Sequence, residues 1–248
     1  MALSGYRAVV ERVPEGPVAQ RVTMASGWLH LAADDLDRAR EELQSAVPIA
    51  FLGGSLRISS RARAWLARGQ FQSGDWAEAL RTATAGVELA QRCGMSLMVP
   101  LLEWTRTQVY VLRGDWAAAE RCMQSGDAGS RDCEIMRVPA ALARAALNEA
   151  RADYAAVDRA LTPLTQAWAR EWVDQPGYWP WADVYANALV TVGRLDEADD
   201  FLRPHEQAAV EQAHASATAR LAYASGRWHG QRGDLGAARV FRAGHQAA

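Results

Sequence analysis

The sequence predicts an all-α protein built as a superhelical array of about six helix-turn-helix repeats, each about 40 residues long. Two observations carry this. GDWAEAL at Gly74–Leu80 and GDWAAAE at Gly114–Glu120 share five identities and lie 40 positions apart. Related phrases recur from one end of the chain to the other, marked by Asp35, Asp75, Asp115, Asp153, Arg194 and Asp234, at spacings of 40, 40, 38, 41 and 40. A fixed period of this size is the signature of stacked helical repeats, in which each unit buries its apolar face against its neighbours.

Each unit reads as two helices around its marker. Val18, Val22, Ala25, Leu29 and Ala32 precede the first marker at helical spacing, and Leu36, Ala39, Leu43 and Ala46 follow it. The phrase between them is a turn. Glycine supplies the positive φ that ends the first helix, and the aspartate after it is placed to cap the second. The aromatic or leucine that follows fits the seam between the helices, and alanine four positions past the marker permits close approach. By this reading Trp76 and Trp116 pack in the turn seam and Trp65 faces a neighbouring helix. SGDAGSR at Ser125–Arg131 reads as an inter-repeat loop, and Pro100, Pro139, Pro163, Pro180 and Pro204 as helix ends or entries. The alternating Val/Ile/Thr runs of a sheet are missing. Residues 1–17 form a lead-in or partial repeat, and 18–248 the repeat domain.

Composition narrows the function. Half of the 248 residues are hydrophobic, no apolar run reaches membrane-span length, and the first residues do not read as a signal peptide. A cytoplasmic location is expected, with no membrane partner. A net charge of −2 gives no reason to expect direct DNA contact by this segment. All 27 basic residues are arginine, so neither a P-loop lysine nor a Schiff-base lysine is present. Three cysteines without CxxC spacing read as reduced, mostly buried thiols. Five histidines show no metal-site spacing and no G-x-S-x-G elbow occurs, so no catalytic or metal residue is expected and the chain reads as a non-enzyme. His30 and His229 share repeat position eleven and read as packing residues with one hydrogen bond each.

The small residue in the first helix, the Gly-Asp-Tyr/Trp turn and the alanine in the second helix resemble the tetratricopeptide repeat, whose usual period is shorter, about 34 residues. Longer phrases carry a second resemblance. AREELQSAVPIAFLGGSLRISSRARAWLARGQFQSGDWAEAL, GMSLMVPLLEWTRTQVYVLRGDWAAAE, EIMRVPAALARAALNEARADYAAV and GYWPWADVYANALVTVGRLDEADDFLRPHE together resemble the repeat region of large actinobacterial LuxR-type, MalT-like signal-transduction ATPase regulators. The similarity runs from about Gly5 to the end. It implies an inducer-sensing region that binds a small molecule, a sugar or oligosaccharide, to control self-association and transcription activation. The ATP-binding domain and DNA-binding helix-turn-helix of that family are not among these residues. No cofactor is therefore expected in this segment, with ATP belonging to the absent N-terminal domain.

With each marker numbered 16, tetratricopeptide geometry sends positions 2, 5 and 9 of the first helix into the groove. The ligand-binding candidates chosen from that register are Trp28, Arg61, Arg68, Trp104, Gln108, Asp183, Asn187, Tyr223 and Arg227. Trp179 and Trp181 join them from the distinctive QPGYWPWAD stretch, where they either close over a ligand or cap the core. Aromatic rings and planar donors and acceptors suit a neutral polyhydroxylated ligand, and the arginines equally suit a carboxylate or phosphate. On this reading Trp104→Ala weakens ligand binding without unfolding the array. The alternative is a free-standing scaffold that binds a protein or peptide partner in the groove.

Overall fold

The computed structural model describes residues 16–48, 54–131, 133–166 and 173–234, and all regular structure among them is helical. The lead-in, apart from residues 16 and 17, and the second helix expected after Asp234 lie outside the described residues. The helices fall into two compact units that divide between Ala143 and Arg144.

The first unit contains α1 (Gly16–Ala32), α2 (Leu36–Ala46), α3 (Leu56–Gln72), α4 (Trp76–Cys93), α5 (Val99–Leu112) and α6 (Trp116–Gly129). Each helix packs on the next, and the alternate helices α1, α3 and α5 also touch one another in sequence. Leu31, Ala39, Leu43, Ile58, Ala62 and Leu66 form one buried core there, with Trp65 packed against it as expected. Gly27 allows the tight crossing of α1 and α2. A Cβ at that position would meet Leu43 Cγ at 2.8 Å and the Leu43 backbone nitrogen at 3.0 Å.

Helix α7 (Arg137–Ala150) crosses the division, and the second unit continues with α8 (Tyr154–Thr165), α9 (Ala182–Thr191), α10 (Leu195–Glu211) and α11 (Ala215–Gln231). Helix α9 touches α8, α10 and α11. Ala186, Leu202, Ala209, Leu221 and Ala224 form the core of that contact, with Phe201 against it.

One turn recurs at all six markers. Residues Asp34, Gly74, Gly114, Ala152, Gly193 and Gly233 all have positive φ, between 57° and 84°. The amide of each following residue donates to the carbonyl five positions back: Asp35 to His30, Asp75 to Gln70, Asp115 to Tyr110, Asp153 to Asn148, Arg194 to Leu189 and Asp234 to His229, at 2.9–3.0 Å. This is the helix C-cap geometry that satisfies an otherwise orphaned carbonyl. Asp35, Asp115 and Asp153 then accept a backbone N–H of the following helix. Asp75 does not, because its carboxylate is taken by Arg40. Four positions past the marker, Ala39, Ala79, Ala119, Val157 and Ala198 are fully buried.

Four local expectations are corrected. Trp76 and Trp116, each the first residue of its helix, do not fill the seam: they remain 44% and 42% exposed. The Ser125–Arg131 stretch is helical through Gly129, since its glycines serve packing: a Cβ on Gly126 would lie 3.3 Å from Glu103 Cβ, and one on Gly129 3.4 Å from the Pro100 ring. Pro204 sits within α10 and Pro163 within α8. Burial of Leu202, His205 and Ala209 holds α10 together across the lost backbone bond. Of the three free cysteines only Cys122 is buried, Cys133 being half-buried and Cys93 exposed.

Candidate functional site

The first helices deliver the position-nine residues as matched pairs. In the first unit the Arg68 guanidinium donates to Gln108 Oε1, one repeat further on. In the second unit the Arg227 guanidinium donates to Asn187 Oδ1, one repeat back. Both pairs join an arginine to an amide across 40 residues, and the order of the two types is reversed between them. Four residues singled out as ligand contacts are thus each other's partners.

Around the first pair the site is closed. Trp104 is 2% exposed and Arg68 3%. The guanidinium carbon of Arg68 lies 3.6 Å from the Trp104 ring centroid, a stacked cation–π contact, and 5.0 Å from that of Phe71. Trp104 therefore stands in the core rather than in an open groove. Trp28, half-buried, leans on Trp65 with ring centroids 5.9 Å apart. Arg61 is exposed and lines a separate cavity.

In the second unit Trp179 and Trp181 are 8% and 1% exposed. Trp181 donates its indole N–H to the Val173 carbonyl at 3.0 Å and meets Phe201 edge-on at 5.2 Å. Of the two roles considered for these rings, capping the core is the one seen. They border a cavity of about 30 Å³ between Asp183, His205 and Arg220, which has room for about one water molecule.

Beside it lies a group of polar side chains, most of them at the predicted positions. Asp183 faces Arg220 with Oδ1 3.6 Å from Nε. Burial raises the Asp183 carboxyl above the ordinary range, and Arg220 opposes that shift. Glu149 of α7 is raised likewise, by burial first and the Asp183 charge second, while a hydrogen bond from Asn187 and the charge of Arg227 act the other way. Tyr223, between Arg220 and Arg227 on α11, is 62% exposed. The result is two carboxyl groups, an amide and two guanidinium groups from α7, α9 and α11, with a solvent-facing ring nearby. Such a set can exchange its internal contacts for those of a ligand's hydroxyl groups.

Glu149 was missed because position twelve was not counted as inward. Arg220 stands at position two of its first helix, but nothing in the sequence sets it apart from other arginines. Its distinction is Asp183.

The histidines at position eleven make the same contact twice. His30 Nδ1 lies 3.3 Å from Asp35 Oδ2, and His229 Nδ1 lies 3.6 Å from Asp234 Oδ2, each histidine reaching its own marker. Among the described residues no group of three His, Cys, Asp or Glu side chains is placed to hold a metal ion. No described helix is long and apolar enough to cross a membrane. No family model matches the chain, and no curated protein matches it.

Proposed function

We propose that the chain is the inducer-sensing, tetratricopeptide-like repeat region of a cytoplasmic LuxR-type regulator. In this reading it binds a small polyhydroxylated molecule, a sugar or oligosaccharide, through Glu149, Asp183, Asn187, Tyr223 and Arg227 of the second unit. The observation that carries the reading is the concentration of these groups on three successive first helices. The six identical turns and the buried residues four positions past them support the repeat architecture, with the extra period taken up by helices of 17 and 18 residues such as α3 and α4. The regulator assignment rests on the sequence resemblance, as do ATP binding elsewhere in the parent and its self-association.

Carboxylates and amides bind vicinal hydroxyls by paired hydrogen bonds, and an exposed tyrosine offers a face for a sugar ring. Ligand binding adds stability by mass action, about 2.7 kcal/mol at a concentration one hundred times Kd. A melting screen with neutral mono- and oligosaccharides is therefore expected to find one that raises Tm. Tyr223→Ala and Glu149→Gln should abolish that rise while leaving the unliganded fold intact. If no carbohydrate raises Tm, or if the variants respond as the parent does, the site is wrong.

A scaffold that binds a partner protein is the second reading. The exposed Trp76, Leu112 and Trp116 of the first unit favour it. Loss of partner capture on replacing these three, with no carbohydrate response, would replace the first reading by this one.

A further inference from the structure

Arg57, Ser60 and Arg61 of α3 form one wall of a cavity of about 290 Å³, and the connection between α4 and α5 forms the other with Met95, Leu97 and Met98. The connection is held in place: Gly94 ends α4 in the left-handed conformation at φ 62°, and the Met95 amide donates back to the Ala90 carbonyl at 2.9 Å. Both arginines are exposed, one helical turn apart, and among the described residues neither has an ion pair or a side-chain hydrogen bond. Among the described residues no acidic side chain lines the cavity. The opposite wall carries thioether and isobutyl groups and no charge.

We infer that this cavity binds a small organic anion. Its carboxylate or phosphoryl head lies between Arg57 and Arg61, and its apolar body against Met95, Leu97 and Met98. Two guanidinium groups on adjacent turns present converging planar donors to such a head. A pocket of this size, apolar on one side and charged on the other, matches a molecule with the same division. The site is independent of the carbohydrate reading, which concerns residues of the other unit, so either can fail alone.

The probe is 8-anilino-1-naphthalenesulfonate, an organic anion with an apolar body, titrated by fluorescence. Arg57→Gln/Arg61→Gln should bind it at least about tenfold more weakly than the parent, and Arg57→Glu/Arg61→Glu should not bind it measurably. Arg121→Gln, an exposed arginine elsewhere in this unit, should behave as the parent. Hexanoate and hexyl phosphate are then tested for displacing the dye. Displacement by the first identifies a carboxylate head and by the second a phosphoryl head. Equal binding by the double glutamine variant, equal binding of uncharged N-phenyl-1-naphthylamine, or displacement by neither hexyl compound would overturn the inference.

Discussion

Arg194 Nη1 lies 2.6 Å from Asp158 Oδ2, joining the marker of one repeat to position 21 of the repeat before it. The same two positions in the first unit hold Asp75 and Arg40, which also pair, with the charges exchanged. Arg194 is the one marker that is not aspartate, and Asp158 is the carboxylate it meets. Glu197 first, and Asp158 with it, hold the Arg194 guanidinium more firmly protonated.

The exchange can be made in the laboratory. Asp158→Arg/Arg194→Asp should be at least as stable as the parent, because it copies the Arg40–Asp75 arrangement. Each single variant places like charges together and should be less stable. The coupling from a double-mutant cycle is expected at about 0.5–1 kcal/mol, since the Arg194 side chain is 39% exposed and solvent screens the pair. Urea denaturation reads it, and a coupling of zero would reduce the contact to coincidence.

Trp104→Ala should cost about 3–5 kcal/mol of stability, the range for removing a fully buried aromatic side chain. The ring is 2% exposed beneath the Arg68 guanidinium. This reverses the expectation that the substitution would spare the fold. Trp76→Ala and Trp116→Ala, at exposed positions, should each cost far less. Chemical denaturation of the three variants side by side makes the comparison.

Stability should fall as pH rises above the ordinary carboxylate range of about 4. Burial raises the carboxyls of Glu149, Asp183 and Glu206, so in that window the folded chain holds more protons than the unfolded one. Stability then decreases with increasing pH. Asp199, lowered by Arg203, acts with the opposite sign below that range. Glu149→Gln keeps a partner for Asn187 and removes one titration, so its Tm should depend less on pH above the ordinary carboxylate range. An unchanged slope would mean that Glu149 ionises as freely folded as unfolded.

Cys122 should resist a thiol reagent until the protein unfolds. Burial, and then the neighbouring Glu103 carboxylate, push its thiol up to about 12. Glu103 is itself buried and paired with Arg106 at 3.0 Å. Exposed Cys93 should react first. Ellman's reagent at pH 8 distinguishes the sites, and rapid native modification of Cys122 would contradict its burial.

The turns were legible in the sequence because they depend on local chemistry. A residue with positive φ, a capping side chain and a small residue one turn later leave the same mark wherever they recur, and Asp35, Asp75 and Asp115 locate them directly. Even the turns at Asp34 and Ala152, which lack the glycine, are legible from the rest of the phrase and its period. The site was legible only in outline. Register placed Arg68, Gln108, Asn187 and Arg227 on one helix face, but could not say that they would bond to one another, since that depends on how closely successive helices approach.

By itself the sequence determined the helical class, the period, the six turns and the small residues that let paired helices close, all set by backbone geometry and spacing within about 40 residues. Only the tertiary structure decided which polar and aromatic side chains were consumed by packing. It put Trp104 and Trp181 in the core, gave Arg68 to Gln108 and Arg194 to Asp158, and left Tyr223, Arg57 and Arg61 facing solvent. The reason is physical: spacing fixes the direction of a side chain, whereas burial and pairing depend on what a distant segment brings against it.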